Sequence, residues 1–488
     1  KGMRIAKNLD DFEELVSAAK NEASNAFGDD RIFIEKYIEN PRHIEMQILG
    51  DKFGNTVWLG ERECSIQRRH QKIIEEAPSS FIDISTRKKM GEQAIKLAQE
   101  VGYYSAGTVE FVVNKKKEFF FLEMNTRLQV EHPVTELITG IDLVEQMINI
   151  ANNKKLNIDQ KNISTHGWAF ESRLCAESPN KDFLPSAGRI HEMNFPTNNI
   201  RIDTGYKSGG EVSIYYDSLL AKIISKGKDR QEAIRKMQTA LKKICIKGID
   251  SNLDFLLDIY KKKSFLLGDI DTNFISDNYK EGYKGDTTDK TELEIIGLMA
   301  FCYYLDNIIN TSKSVENISK VWVIKGLEKE RLINLKNIEN NKLLVRLRKI
   351  TETLNYEINY IYNLITIFFR NKSLVGRVNI FGNKLKVFYN GSYKTITVLK
   401  SRSNEYYKKL PKENKTSVKK EITSPMPGKV TKVFVQNNDK ISIGDSLLVL
   451  DAMKMENIIK ADFIGTVNEV KVSPNDSVAT DELLITFK

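Results

Sequence analysis

Two glutamates, Glu110 and Glu123, flank the polar segment Asn114-Lys115-Lys116-Lys117 within the strand-like runs Gly107–Val113 and Glu118–Met124. A hairpin centred between Lys116 and Lys117 makes them cross-strand partners, each equally far from the turn. Opposed Cβ atoms then lie about 4.5–5.5 Å apart, and like charges there repel. A divalent cation reverses that penalty, and carboxylate oxygens suit Mg²⁺ bound together with phosphates. The alternative is two solvated glutamates on opposite faces. A second reactive position is Lys454, in the connector Ala452-Met453-Lys454-Met455-Glu456 between the halves of an internal repeat. Its amine can form an amide, and its flexible stem lengthens any tether. A bare lysine on a hairpin is ordinarily just solvated, so the setting decides.

That setting is a repeat in which Gly428 to Leu450 and Gly465 to Phe487 superimpose with an offset of 37. Gly428/Gly465, Val430/Val467, Asn438/Asn475 and Asp439/Asp476 coincide. Two similar β halves predict a pseudo-twofold sandwich with its connector exposed. Upstream, residues 1–280 alternate helical and strand-like patterns. Arg31 to Ile38 and His43 to Leu49 are predicted strands broken at Asn40-Pro41. Ser85 to Val101 is a predicted helix stopped by Gly102, and Asp229 to Ile246 another closed by Gly248. After the polar break Glu281–Lys290, Thr291 to Ile309 is a long apolar helix. Short Val/Ile/Tyr/Phe runs from Val321 to Leu399 predict a small antiparallel sheet or barrel with that helix attached. Residues 403–421 are charged and without apolar period, hence a solvated, mobile linker. Trp58, Trp168 and Trp322 are core candidates, and His132 and His191 carry no catalytic expectation.

Composition narrows the classes. The 488 residues are 41% hydrophobic and 28% charged, too apolar for a disordered chain. No apolar stretch approaches the ~18 residues of a membrane span, so no membrane partner is expected. Net charge is +9, from 74 basic and 65 acidic residues, too mild a balance to imply nucleic acid. Cys64, Cys175, Cys245 and Cys302 lack metal-ligand spacing, which predicts reduced, buried thiols.

Ala452-Met453-Lys454-Met455, with Ser424-Pro425-Met426-Pro427-Gly428 upstream, resembles the attachment hairpin of biotinyl carrier domains. That resemblance implies biotin on Lys454, placed there by a biotin protein ligase. The run Glu123-Met124-Asn125-Thr126-Arg127-Leu128-Gln129-Val130-Glu131-His132-Pro133 resembles the signature of biotin carboxylase, of the ATP-grasp superfamily. Glu35-Lys36-Tyr37, Pro41-Arg42-His43 and Glu61 through Lys72 resemble the same family. The resemblance implies that Glu35, Lys36 and Ile38 contact adenine, with His43, Gln67 and His70 near ribose and phosphates. Glu110, Glu123 and Asn125 would hold Mg²⁺ or Mn²⁺. Lys72, Arg127, Gln129 and the Val130 backbone would bind bicarbonate, Glu131 would deprotonate it, and Arg173 would stabilise the biotin enolate. A guanidinium fork suits the planar bicarbonate anion, and phosphoryl transfer from ATP needs such positioning and charge neutralisation.

The expected fold is therefore multidomain α+β. Residues 1–280 form a partial ATP-grasp domain with the biotin carboxylase C-terminal subdomain. Residues 283–402 form a helix-plus-β-barrel domain for subunit contact, 403–421 the linker, and 422–488 a flattened biotinyl/lipoyl-like sandwich. Thr272 to Tyr279 followed by Gly282-Tyr283-Lys284-Gly285 resembles the α subunits of acyl-CoA carboxylases, most of all those acting on propionyl-CoA. A carboxyltransferase β subunit and a hetero-oligomer are implied, in bacterial cytoplasm or mitochondrial matrix. The alternatives are a 3-methylcrotonyl-CoA or acetyl-CoA carboxylase α subunit, or a non-catalytic biotin carrier. Lys1-Gly2-Met3-Arg4 resembles the end of the family's phosphate lid. The expectation is that the N-terminal subdomain is missing and that this polypeptide alone has little carboxylase activity.

Overall fold

The structure, a computed structural model, describes residues 3–213, 215–286, 289–312, 318–339, 341–347, 350–409, 421–452 and 455–488. Helix α1 (Phe12–Phe27) is closed by Gly28 at φ 70°, and residues 29–38 follow without regular structure. The strand expected at Arg31–Ile38 does not form. Its alternation finds no partner strand, and Phe33 and Ile34 stay 84% and 73% exposed.

The following strands build one sheet: β1 (Arg42–Gly50), β2 (Thr56–Arg68), β3 (Gln71–Ala77), β4 (Ser105–Val113), β5 (Phe119–Asn125) and β6 (Trp168–Cys175). With Arg201–Thr204 and Leu219–Gly227 the eight strands run in the order 201–204, 219–227, β6, β3, β2, β1, β4, β5. Helix α2 (Ile84–Glu100) starts where Asp83 accepts a bond from the Thr86 amide, and Gly102 follows it at φ 60°. Its Met90, Ala94 and Ala98 pack on Ile44, Met46, Val109 and Phe111. The alternate side chains His43, Glu45, Gln47, Thr108 and Glu110 are buried on the other face. Helix α3 (His132–Thr139) crosses that polar face, and its Val134 and Ile138 pack on Ala77, Ala169 and Ile224.

The helix expected at Asp229–Ile246 runs Arg230–Lys243, with Asp229 capping the Glu232 amide. Gly248 does not close it. Cys245–Lys247 leave as a strand against Glu192–Asn194, because pairing satisfies their backbone there. The second large core is a closed eight-stranded barrel, an unbroken meander from Val321–Lys325 to Ser392–Lys400, which pair to shut it. The helix Lys290–Ser312 does more than attach. Ile296, Met299, Phe301, Cys302 and Leu305 are buried on all its sides among Ile333, Val345, Ile365, Ile367 and Val387, so the barrel wraps it. A Cβ on Gly376 would lie 2.5 Å from Met299 Sδ, so only glycine lets that wall approach the helix.

Residues expected to open the linker instead form the helix Ser401–Tyr407, whose Asn404 is buried and receives Lys325 Nζ at 3.3 Å. The rest of that expected linker, 410–420, lies outside the described residues. At the C-terminus two four-stranded sheets obey the repeat. One runs 421–423, 483–487, 465–470, 440–441, and the other 455–460, 446–452, 428–433, 477–478. The halves lock by exchange: Asn438 N–H donates to Val467 O and Asn475 N–H to Val430 O, at 2.9 and 2.7 Å. Among the described residues no helix is long and apolar enough to cross a membrane.

Candidate active site

A row of charged residues runs in register across four neighbouring strands: Arg62 opposite Glu45, Glu45 opposite Glu110, Glu110 opposite Glu123. The pairing of Glu110 with Glu123 matches the sequence expectation, but for a different reason. The hairpin sets Val113 opposite Phe119 and Phe111 opposite Phe121, and one extra residue, Leu122, then shifts the register back.

Glu123 is exposed, but the buried Glu45 and Glu110 require compensation, and two cations supply it. Arg62, fully buried, donates to Glu45 at 2.5 Å, Gln47 at 2.6, Gln129 at 2.7, and the Thr108 and Thr135 hydroxyls at 3.0 Å. Lys72 Nζ reaches Glu45 at 2.5, Glu131 at 2.7 and Glu110 at 3.1 Å. Burial alone would raise the Glu45 carboxyl, yet Arg62 and Lys72 outweigh it and hold it at about 2. Glu110 is likewise held at about 2, burial being overcome by the His43 hydrogen bond at 2.6 Å and then by Lys72. Lys72 is pushed up: burial opposes its charge, but Glu45, Cys64, Glu131 and Glu110 together favour it.

Glu131 precedes α3 and is 2% exposed. One oxygen accepts from Lys72 and the other from Arg173, at 2.7 and 3.0 Å, which fixes the carboxylate's orientation. Gln129 donates to Glu110 at 2.6 Å, and Asn125 bridges Glu110 and Glu123 at 2.9 and 3.2 Å. The Val130 carbonyl accepts from Lys222 at 2.9 Å. Thus Lys72, Glu110, Glu123, Asn125, Gln129, Glu131 and Arg173 converge, and His43 joins them through Glu110. Arg127 stays at the exposed margin, 3.3 Å from Asn125 Oδ1. Gln67 lies opposite Lys72 in register, and His70 is exposed on the turn at φ 65°. Glu35 and Lys36 are exposed and Ile38 half-buried on the irregular segment, with Lys36 Nζ 5.8 Å from the Phe120 ring. Lys454 lies outside the described residues; its flanking strands pair as far as Ala452 and Met455.

Sequence reasoning missed Glu45, Arg62 and Glu75. His43, Glu45 and Gln47 alternate with Ile44, Met46 and Ile48, a pattern that reads as a strand with one solvated face, whereas the structure buries both faces. Glu110 and Glu123 offer carboxylate oxygens, a hard donor set that fits Mg²⁺, while Asn125 turns its amide N–H towards both and its Oδ1 towards Arg127. His43, Glu45 and Glu110 also bring three ligand atoms within 4.8 Å of one another.

Three known families match in succession. Residues 1–159 match the "Carbamoyl-phosphate synthase L chain, ATP binding domain", 171–277 the "Biotin carboxylase C-terminal domain", and 420–487 the "Biotin-requiring enzyme" domain. With the barrel between them, these define a biotin-dependent carboxylase chain, an ATP-grasp fold linked to a biotinyl domain. Among solved structures, the biotin carboxylase domain of Hydrogenobacter thermophilus 2-oxoglutarate carboxylase, with MgADP, ADP and bicarbonate, is similar: TM-score 0.55, 44% identity, 57% of this chain and 62% of that one. Campylobacter jejuni biotin carboxylase with β,γ-ATP gives 0.55 and 45% over the same shares. The propionyl-CoA carboxylase alpha chain of Caenorhabditis elegans is 40% identical over 94% of this chain and 67% of its own. That of Ruegeria pomeroyi is 39% identical over 100% and 76%, and the methylcrotonoyl-CoA carboxylase subunit alpha of Dictyostelium discoideum 36% over 99% and 72%. The chain belongs to the family of the propionyl-CoA carboxylase alpha chains.

Proposed function

We propose that this chain carboxylates biotin carried on its own Lys454, using ATP and bicarbonate, and delivers the carboxyl group to propionyl-CoA on a carboxyltransferase β subunit. The observation that carries the reading is Glu131, a buried carboxylate clamped by Lys72 on one oxygen and Arg173 on the other. A base so fixed removes the bicarbonate proton without first reorienting, and positioning of that kind is where such catalysis gains most. Lys72 and Arg173 place positive charge where the bicarbonate, phosphate and enolate oxygens would gather. Arg127, at the exposed margin, is free to turn its fork onto bicarbonate. Glu110, Glu123 and Asn125 would hold the metal, which when bound neutralises phosphate charge during transfer. Biotin supplies the ureido nitrogen that accepts the carboxyl group. Propionyl-CoA as acceptor is supported by the named relatives, of whose length the chain spans 67% to 76%.

The test uses the holoenzyme assembled with its β subunit and labelled bicarbonate. Glu131→Gln lowers label transfer to biotin by about 10²–10⁴-fold, the usual worth of a positioned base, while streptavidin still binds the chain after denaturing electrophoresis. Lys454→Ala abolishes both signals. Streptavidin binding that survives Lys454→Ala refutes the attachment site. Undiminished transfer in Glu131→Gln would refute Glu131 as the base, and no transfer by the unaltered holoenzyme would leave the chain a carrier only.

A further inference from the structure

Beneath α3 the sheet buries two carboxyls that no step above uses. Glu75 of β3 and Glu171 of β6 are direct cross-strand partners, and both are 0% exposed. Ile224 lies opposite Glu171 on the next strand, and Val134 and Ile138 of α3 cover that part of the sheet with hydrocarbon. Glu75 Oε1 accepts from Arg173 Nε at 2.6 Å. Among the described residues, Glu75 Oε2 and both oxygens of Glu171 have no hydrogen-bond partner. The charged and titratable groups facing the pair are Arg173 from β6, Lys222 from the strand 219–227, Lys72 from β3 itself, Cys64 from β2, Tyr260 from the helix Leu253–Lys261, and Glu131 at the head of α3. Two adjacent carboxyls in so apolar a setting cannot both ionise, because the first charge opposes the second.

We propose that Glu75 and Glu171 hold a single negative charge between them, with Glu171 a neutral acid, and that Glu75 is a positioning residue that aims Arg173 and, through it, Glu131. The inference rests on the roles given to Arg173 and Glu131 above. Burial and then the Glu75 charge push the Glu171 carboxyl far above the usual range. Burial, outweighing Arg173, raises Glu75 to about 7. The charge that anchors Arg173 is therefore lost as pH falls through neutrality, while Glu171 stays protonated on both sides of it.

Infrared spectroscopy of the whole chain tests the charge assignment without any activity. Well above pH 7, where Glu75 is ionised, the carbonyl stretch of a buried protonated acid is expected, and Glu171→Gln diminishes it. A wild-type pH titration provides the same reading without a variant, since the band must persist above pH 7. In the holoenzyme, Glu75→Gln lowers kcat for biotin carboxylation by about 10²-fold, the effect of a small misplacement of a catalytic group. It leaves KM for ATP unchanged and abolishes the acidic limb near pH 7, while Glu75→Asp restores part of both. A purely structural Glu75 would leave the pH profile intact. Absence of the protonated band, or a Glu75→Gln enzyme with wild-type kcat and limb, overturns the proposal. If the band is present but no form of the enzyme carboxylates biotin, the charge assignment stands and the functional reading fails.

Discussion

Across β2, β1 and β4 the N-terminal sheet buries Arg62, Glu45 and Glu110 side by side, whereas the barrel turns Ile333, Val345, Ile365, Ile367 and Val387 onto its helix. Both rows of side chains are buried, but their chemistry is opposite. A buried ion pair seldom stabilises more than well-packed hydrocarbon of the same volume, because desolvation takes back most of the attraction. The charged rows are therefore not explained by stability. They are explained by what they hold in place: Glu131 between Lys72 and Arg173, and Glu110 anionic opposite Glu123. In the barrel a comparable feature is Asp306 beneath the Tyr356 and Tyr360 hydroxyls, and there the carboxylate ties the helix to the wall.

The largest expected effect separates the two interiors directly. Arg62→Ala leaves Glu45 buried and without its principal partner, which costs about 3–5 kcal/mol. The chain's three tryptophans divide usefully, with Trp58 and Trp168 in the sheet and Trp322 in the barrel. In urea unfolding of single-tryptophan variants, Arg62→Ala should lower the midpoint reported by Trp58 or Trp168 and leave that of Trp322 in place. Equal movement of all three would mean that sheet and barrel unfold as one unit, through junctions such as Arg377–Asp254 and Tyr283–Gly391.

The same contrast decides what could be read in the sequence. The barrel strands and their helix follow from apolar runs and turn residues, because an apolar core is made by pattern alone. The C-terminal sandwich was legible from its repeat, and Asn438 and Asn475, at φ 75° and 83°, occupy equivalent turns. Helix α2 lies within a residue of expectation. Arg31–Ile38 failed because alternation describes a strand only where another strand accepts it. Glu45, Arg62 and Glu75 went unnoticed because nothing local distinguishes a buried charge from a solvated one. Their partners lie 15 to 98 residues away in the chain, as for Arg62 with Gln47 and Arg173 with Glu75. The resemblance supplied Lys72, Glu131 and Arg173, but not the network that orients them.

Acid and base act on this contrast next in size. Glu45 and Glu110 have depressed carboxyls, so the stability they contribute is present above about pH 4.5 and lost as pH falls towards 2. Glu75 is raised to about 7, so its contribution has the opposite sign: full below about pH 4.5 and lost as pH rises through 7. The sheet's stability should therefore fall at both ends of the window from pH 2 to 7. Burial pushes Tyr356 and Tyr360 in the barrel upward from a value already near 10, outside that window. Melting followed at Trp168 should show the two limbs, while Trp322 gives a flatter profile. A Trp322 signal with the same limbs would show the charged rows controlling the whole chain.

The smallest effect is the control from the barrel side. Ile367 is fully buried against the helix, and Ile367→Val removes one methyl group without altering charge or hydrogen bonding. Such a deletion costs about 0.5–1.5 kcal/mol, set by how far the surroundings collapse into the space. The unfolding free energy read at Trp322 should drop by that amount with the Trp58 and Trp168 transitions unmoved. Biotin carboxylation by the holoenzyme should be unaffected, since no barrel side chain touches the Glu131 clamp among the described contacts. If carboxylation falls with the barrel's stability, packing around the helix reaches the active site. The charged sheet would then depend on the hydrocarbon barrel for its geometry, and the division between a core that holds and a core that reacts would have to be abandoned.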